Sequence, residues 1–436
     1  MKPAHPEDNV SRMRVPPRII PPSEHHISRG DISDNALKVL YRLSNAGFKA
    51  YLVGGGVRDL LLGHRPKDFD VVTDARPEQI RELFRNCRLI GRRFRLAHVR
   101  FGEEIIEVST FRAAHHVTDG ERHIEDGRII RDNIYGDIDD DVWRRDFTVN
   151  SLLYNIDDLS IVDYIGAMAD IEASQLRMIG DPATRYREDP VRMLRAIRFS
   201  VKLDFKIHED TKKPIHELNH LLNDIPPARL FEEFMKLFMS GKSLEVYYLL
   251  RKYRLFPHMF PLTQRILEQD ETRVDSLLRR VFLNTDERIR EDKPVSPGFL
   301  IAALLWPALM EFMEEYKSNG LADQDAIMLA SDAVISQQIS SISFPRRFTL
   351  MARDIWLLQS RMKHRRGKRP MRLLSHPRFK AAYDFLLLRA EAGENLQEMV
   401  DWWSEFANRH QDIIDQNRQG KPQFRRSGRR NKSRRH

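Results

Sequence analysis

Two aspartates one residue apart, Asp68 and Asp70, are the side chains in this sequence best suited to hold metal ions. The polar positions alternate with the apolar Phe69 and Val71, a pattern that predicts a β-strand with one buried face. In such a strand both carboxylates lie on the same face, roughly 7 Å apart. Their oxygens could hold Mg²⁺ beside the phosphates of a substrate. A strand end with two solvated acids would show the same pattern.

A run of three glycines, Gly54–Gly56, precedes the aspartates. Glycine permits backbone conformations that turn several N–H groups toward a phosphate, with no side chain in the way. Arg58 adds a fork of donors suited to phosphate oxygens. The run is not a Walker A loop, and Asp59 stands where a dinucleotide-binding fingerprint needs its third glycine. The stretch Tyr51–Asp70 therefore predicts a strand, a glycine loop, a short helix and a second strand that handle a nucleoside triphosphate.

The motif Gly-Gly-x-Val-Arg-Asp followed by Asp-x-Asp resembles the class II nucleotidyltransferases, which are the tRNA CCA-adding enzymes and the bacterial poly(A) polymerases. The resemblance implies an α+β protein. Its N-terminal nucleotidyltransferase head would contain a small mixed β-sheet and helices, followed by an all-α neck, body and tail. It also implies Mg²⁺ on Asp68 and Asp70, and ATP held at Gly54, Gly55 and Arg58.

A second motif, Arg-Arg-Asp-Phe-Thr-Val-Asn, begins at Arg144. The residues themselves predict the start of an amphipathic helix with Phe147 facing inward. The resemblance implies that this segment completes the catalytic site. Asp146 would supply a third carboxylate or a ribose contact, and Arg145 and Asn150 would contact phosphate and sugar.

A third motif, Glu-Asp-Pro-Val-Arg, contains Asp189 and Arg192. Residues at this spacing share a helix face, and an ordinary ion pair is one explanation. The resemblance implies that the segment reads the incoming base, with Arg195 further along the same face. Adenine and cytosine both place an amino donor beside a ring-nitrogen acceptor. Acceptors on Asp189 and donors on Arg192 could therefore select A or C over U or G, but could not separate A from C.

The stretch Leu89–Val99 is similar to the signature that separates bacterial poly(A) polymerases from CCA-adding enzymes. Without that resemblance it would be a solvated basic loop entering a strand. The role of Glu107 stays open, because an acid on a neighbouring strand could support the metal site or be a simple edge charge.

The resemblance thus implies template-independent addition of AMP from ATP to RNA 3′ ends, with release of pyrophosphate, and by extension promotion of RNA decay. CCA addition to tRNA is the alternative, and a catalytically silent RNA-binding protein is the alternative that is not an enzyme. RNA 3′ ends and ATP are the expected partners, and proteins of RNA decay are further candidates.

Composition agrees with an anionic partner. The 436 residues carry a formal charge of +9, of which Lys421–Arg435 supplies eight positive charges. Cys87 is the only cysteine, so no intrachain disulfide is possible and a reduced cytoplasm is expected. The N-terminus lacks the apolar core of a signal peptide. The longest apolar run, Phe299–Met310, is interrupted by Pro307 and is too short to span a membrane.

The order of these signals predicts five segments. They are a mobile arm (1–30), the catalytic head (31–160), a helical neck with the base-recognition helix (161–240), a helical RNA-binding body (241–410) and a disordered basic tail (411–436). Within the head we expect a helix over Asn35–Ala46 capped by Ser33, a hairpin across Gly102, and a solvated acidic loop at Asp137–Asp141. Within the body, the acid-free basic stretch Arg361–Arg372, with Trp356, His364 and Phe379 nearby, predicts an RNA track.

Overall fold

A computed structural model of the chain describes residues 16–91, 95–113, 122–125, 128–132 and 134–410. The chain forms two compact units, Met1–Leu221 and Leu222–His436. The first combines a mixed sheet with helices and the described part of the second is helical, as the predicted α+β class requires.

Among the described residues, the first unit contains all the strands and eight α-helices. The strands are β1 (Arg18–Ile20), β2 (Ala50–Val53), β3 (Asp70–Thr73), β4 (Cys87–Ile90), β5 (Leu96–Phe101), β6 (Glu104–Thr110), β7 (Arg122–Glu125), β8 (Arg128–Asp132), β9 (Leu153–Asn155), β10 (Ile161–Asp163), β11 (Gln175–Leu176) and β12 (Lys206–Ile207). The helices are α1 (Asp34–Asn45), α2 (Gly55–Leu61), α3 (Pro77–Leu83), α4 (Ile138–Trp143), α5 (Ala167–Glu172), α6 (Pro182–Glu188), α7 (Val191–Leu203) and α8 (Glu209–Leu218).

The main sheet has eight strands in the order β1-β10-β9-β2-β3-β6-β5-β4. β3 and β6 pair in parallel, and the other neighbours are antiparallel. Helix α1 packs on β2, β3 and β6, and it begins where predicted, because the Ser33 hydroxyl accepts the Ala36 N–H at 3.1 Å. The hairpin of β5 and β6 turns at Gly102, whose φ of 64° suits glycine.

Residues 18–20 are not part of a mobile arm. They form β1 at the edge of the sheet, where Ile20 pairs with Ile161 and is 1% exposed. The predicted head boundary at residue 160 is also wrong, because it separates β9 from β10, and these two strands pair. Residues 1–15, 92–94 and 411–436 lie outside the described residues, so the rest of the arm, part of the Leu89–Val99 signature and the basic tail stay predictions.

Two local predictions near the second motif are also wrong. The acidic run is not a solvated loop, because Asp137 caps α4 and Asp141 is 2% exposed inside the unit. The Arg144–Asn150 segment does not begin a helix. It is a turn after α4, followed by a single 3₁₀ turn over Thr148–Asn150, and Phe147 pairs instead with Met178 in a β-bridge.

The second unit consists, in its described part, of twelve helices. They are α9 (Pro227–Phe238), α10 (Ser243–Lys252), α11 (Phe256–Met259), α12 (Pro261–Gln269), α13 (Glu271–Arg290), α14 (Pro297–Leu304), α15 (Trp306–Ser318), α16 (Asp323–Gln338), α17 (Arg346–Met362), α18 (Arg369–Leu374), α19 (Phe379–Glu391) and α20 (Gln397–Arg409). Aromatic side chains fill one part of its core; Phe238 and Phe282 stack with ring centroids 5.1 Å apart.

The apolar run Phe299–Met310 is divided between α14 and α15, which are bent by 51° at Leu305. Among the described residues, no single helix has the length and apolar character needed to cross a membrane. Of the bent helix pairs among those residues, only α14 and α15 reach this length and apolar character when they are taken together.

Candidate active site

The glycine run lies at the junction of β2 and α2. Gly54 follows Val53 directly and has φ 74° and ψ −134°, a conformation that other residues adopt only with strain. Gly55 and Gly56 already belong to α2, so the loop is shorter than predicted. A Cβ added to Gly54 would lie 3.7 Å from Arg145 Nη1, which places the second motif against the glycine turn.

Arg58 lies beneath this turn and is only 1% exposed. Its Nε donates to Asp59 at 2.8 Å, its Nη1 donates to the Asn150 side-chain oxygen, and its guanidinium faces the Phe199 ring at 5.6 Å. The direct phosphate contact predicted from the sequence is therefore not supported, because almost none of the side chain reaches solvent. Arg58 instead positions the turn and Asn150.

Asp68 and Asp70 lie where β3 begins, and both are exposed. Phe69 and Val71 are buried, at 7% and 0% exposure, as the alternation predicted. The strand starts at Asp70, however, so Asp68 precedes it. The pair faces outward, where substrate and ions can reach it.

Glu107, which the sequence left undecided, is paired with Asp70 across the parallel strands β3 and β6. Partners in register place their side chains on the same face of a sheet. Although the Asp70 side chain is open to solvent, the protein around it removes part of its hydration. This desolvation, followed by repulsion from Glu107 and Asp68, raises the pKa of Asp70 from 3.8 to about 6, while Arg145 opposes the shift. His98 Nε2 lies 3.4 Å from the Glu107 carboxylate. The site thus concentrates negative charge that a cation would neutralise.

The donor set at Asp68 and Asp70 fits a hard divalent cation. Among the residues that the structure describes, no three His, Cys, Asp or Glu side chains are placed to hold an ion by themselves. Mg²⁺ commonly binds one or two carboxylates and completes its shell with water and substrate phosphates. The pair therefore fits a Mg²⁺ ion that shares its ligands with a nucleotide.

Asp146 is held by the protein on both oxygens. Its Oδ1 accepts from the Phe147 N–H at 2.9 Å and Asn150 Nδ2 at 3.2 Å, and its Oδ2 accepts from Arg195 Nε at 2.7 Å. Burial alone would raise the pKa of Asp146, but the Arg195 charge and these hydrogen bonds hold it below its ordinary value. Of the two roles implied by the resemblance, these contacts favour nucleotide positioning over metal binding.

Arg145 and Asn150 connect the motifs. Arg145 Nη2 donates to the buried Asp141 at 2.8 Å, which fixes its guanidinium beside the glycine turn. Asn150 uses its side-chain oxygen for Arg58 and its nitrogen for Asp146. One continuous network therefore runs from α2 through the second motif to Arg195 on α7.

Asp189 and Arg192 do not share a helix face. Asp189 lies in the break between α6 and α7, where its Oδ1 accepts the Val191 N–H at 3.2 Å. Arg192 Nη1 donates to Glu188 at 2.8 Å and to the Arg185 carbonyl at 2.7 Å. Glu188 therefore supplies the acid that orients Arg192, and Asp189 contacts Arg192 through its backbone carbonyl, which accepts the Arg192 N–H at 3.0 Å.

Arg185 was not singled out from the sequence, and Glu188, the first residue of the third motif, was given no role of its own. Arg185 donates to the carbonyl oxygens of Arg144 and Arg145, each at 2.7 Å, and to Glu188 at 2.8 Å. Burial, with the charge of nearby Arg192, lowers the pKa of Arg185 to about 10, so it stays charged at neutral pH. In the sequence it is indistinguishable from a surface arginine, because the two carbonyl oxygens that it binds lie about forty positions away.

A solved tRNA nucleotidyltransferase complexed with a primer tRNA and an incoming ATP analog has the same fold, with a TM-score of 0.58 and 23% identity over 85% of this chain and 98% of that chain. The fold is therefore that of a nucleotidyltransferase.

Family models then cover most of the chain. They are the poly A polymerase head domain (50–177), the probable RNA and SrmB-binding site of polymerase A (204–267) and the polymerase A arginine-rich C-terminus (319–436). Poly(A) polymerase I of Salmonella typhimurium is 52% identical over 89% of this chain and 85% of its own length. The CCA-adding enzyme of Lactobacillus helveticus is 36% identical over 50% of this chain and 53% of its own length. The chain belongs to the poly(A) polymerase I family and is a polynucleotide adenylyltransferase.

Proposed function

We propose that the site at the starts of α2 and β3 is where this enzyme transfers AMP from ATP to RNA 3′ ends without a template. The assignment rests on the pairing of three neighbouring strands, β2, β3 and β6. Val53, which precedes the glycine turn, is paired with Asp70, and Asp70 is paired with Glu107 on its other side. Asp70 and Glu107 thus lie directly beside the glycine turn.

Asp68 and Asp70 would hold Mg²⁺ in this site. A metal held by these two carboxylates would supply Lewis-acid chemistry, lowering the pKa of the attacking 3′-hydroxyl and neutralising charge on the departing pyrophosphate. The residues of the chain supply position. The backbone of Gly54 and Gly55 makes room for phosphates, and Arg145 provides a cation at the same turn. Glu107 adds a further negative charge beside Asp70.

The second and third motifs would position the nucleoside. Asp146, kept charged by Arg195, is suited to accept a hydrogen bond from a ribose hydroxyl, and Asn150 lies beside it. Acceptors on Asp189 and donors on Arg192, held by Glu188, match the amino group and ring nitrogen of adenine. Since cytosine shows the same pattern, ATP is separated from CTP by another feature of the pocket.

CCA addition is the rival activity. The poly(A) polymerase I relative matches nearly the whole chain, whereas the CCA-adding relative matches about half, and the Leu89–Val99 resemblance points the same way. Incubation of the protein with ATP alone or CTP alone, and with a generic RNA or tRNA, separates the two. Growing A-tracts on generic RNA support the proposal; products confined to tRNA and limited to the CCA end contradict it.

The role of the acidic pair is tested by Asp70→Asn. We expect loss of nearly all AMP incorporation, because the amide is a poor metal ligand, with RNA affinity largely kept. Glu103→Gln, an exposed acid on the β5–β6 turn, is the matched control and should be as active as the parent. Unchanged incorporation by Asp70→Asn would instead support a catalytically silent RNA-binding protein or a different catalytic site.

The wider role belongs to the same proposal. Adenylate tails on RNA would mark it for decay in a bacterial cytoplasm, with proteins of RNA decay as partners. Comparison of RNA half-lives between cells with the parent and the Asp70→Asn protein tests this role.

A further inference from the structure

Helix α20 and the residue that follows it carry three aromatic side chains at successive steps of four residues, Trp402, Phe406 and the capping His410, and all three are partly exposed. This spacing places them one above another on the helix surface. The Trp402 and Phe406 rings are 4.9 Å apart and within 11° of parallel, and Phe406 and His410 are 4.5 Å apart. We call these three residues the aromatic stack.

The packing of this region depends chiefly on a different residue. Trp403 is fully buried and donates its indole N–H to the Met362 carbonyl at 3.1 Å. Trp402 and Phe406 border the same core cluster, but the rings of the stack keep part of their surface in solvent.

A basic loop adjoins the stack. We use this name for Arg361–Arg372, which spans the end of α17, the connection to α18 and the start of α18, and which contains seven Lys and Arg residues. Six of the seven are exposed, and among the described residues only Arg365 forms an ion pair, with Glu398 at 2.8 Å. Glu398 lies four positions before Trp402 on α20, so the loop is attached where the stack begins.

Of the three aromatic residues first expected to accompany this loop, His364 is exposed, but Trp356 and Phe379 are not available to a ligand. Trp356 is fully buried and donates to the Ala302 carbonyl at 2.9 Å, and Phe379 is 5% exposed. With these two large rings buried, the aromatic stack offers large, partly exposed rings beside the basic loop.

We propose that the basic loop and the aromatic stack together form a platform for single-stranded RNA. Unneutralised cations track the phosphates, while unpaired bases stack on the exposed parts of the rings. Single-stranded RNA fits better than a duplex, because paired bases are not free to stack. The platform lies outside residues 204–267, the region matched by the RNA-binding family model. The inference rests on the proposed function, which makes RNA the substrate.

The stack is tested by the double variant Trp402→Leu, Phe406→Leu, which keeps apolar volume and removes the large rings. We expect about tenfold weaker binding of an oligoadenylate of about 20 nucleotides, measured by fluorescence anisotropy. Binding of a ribose-phosphate chain without bases should be unchanged. Phe312→Leu, Tyr316→Leu is the matched control, because these partly exposed aromatics have the same spacing on α15.

The loop is tested by Lys363→Ala, Arg366→Ala, Lys368→Ala. Both ligands should bind more weakly, and the slope of log affinity against log salt should fall by about 2, at roughly 0.7 for each phosphate that the variant no longer neutralises. The variant Arg273→Ala, Arg280→Ala, Lys293→Ala removes the same charge from other exposed positions and should show a smaller change.

Oligoadenylate affinity in the stack variant equal to that of the parent overturns the platform, as does an equal weakening on the base-free chain. Quenching of tryptophan fluorescence by oligoadenylate, present in the parent and reduced in Trp402→Phe, checks the stack without a large packing change. AMP incorporation at saturating RNA separates the two proposals. A parent protein that extends RNA while the stack variant binds normally refutes only the platform, whereas a parent that does not extend RNA refutes the proposed function.

Discussion

The Asp146 side chain is 11% exposed, yet the pKa of its carboxyl group is below the ordinary value. Loss of water around a carboxylate favours the neutral acid, so this direction requires a strong compensating partner. Arg195 is that partner, and the Asn150 amide and Phe147 N–H add hydrogen bonds. A charged acid is thus available beside the glycine turn without any change in protonation at neutral pH.

Removal of the cation should expose this dependence. Arg195→Met leaves a buried carboxylate without its counter-charge and should lower the free energy of unfolding by about 3 kcal/mol. The double variant Arg195→Met, Asp146→Asn should recover part of that loss, because a neutral amide needs no cation. Urea denaturation followed by circular dichroism measures both.

Lys202→Met is the control on the same helix. Lys202 pairs with Asp59 at 3.2 Å but its side chain is 52% exposed, so its loss should cost less than about 1 kcal/mol. If the double variant is no more stable than Arg195→Met, Asp146 does not depend on Arg195 in the way described.

At the scale of elements, the site is assembled where the end of β2 and the start of β3 lie beside the middle of β6, and the turn after α4 closes it. The sheet that contains these three strands extends to β1 at one edge. Ile20 of β1 is 1% exposed and its neighbour Ile19 is 53% exposed, as expected for a strand with one covered face.

Ile20 and Ile19 allow a buried and an exposed position to be compared within one strand. Ile20→Asp places an unpaired charge in the core and should lower the free energy of unfolding by about 3 kcal/mol or more. Ile19→Asp should change it by less than about 0.5 kcal/mol. Similar losses in the two variants, measured by thermal or urea unfolding, would show that β1 does not pack on the head as described.

At the scale of the whole molecule, positive charge is concentrated at the C-terminus of the sequence. Lys421–Arg435 carries eight of the nine net charges and no acid. Such a segment binds phosphates through counterion release and carries no base preference. It would therefore raise affinity for any RNA while leaving the chemistry to the head.

Deletion of Lys421–His436 should accordingly weaken RNA binding and flatten its salt dependence, by about 0.7 in log–log slope for each phosphate that the shortened chain no longer neutralises. Incorporation of a single AMP at saturating RNA should be nearly unchanged. Anisotropy titrations at several salt concentrations and a single-turnover assay make the comparison. A salt slope equal to that of the full chain would exclude the tail as an RNA-binding segment.

The sequence by itself determined the features that depend on a few neighbouring residues. The Ser33 cap, the turn at Gly102 and the burial of Phe69 and Val71 all follow from local chemistry and alternation, and the motifs identified the family. These features were predictable because their partners lie within a few positions.

Only the tertiary structure decided which partner each charged group takes. Glu188 rather than Asp189 holds Arg192, Asp141 is buried against Arg145, and Arg58 lies beneath the glycine turn. It also decided that residues 18–20 complete the sheet and that Trp356 is core. In each case the outcome depends on desolvation by segments distant in the chain, which no local pattern records.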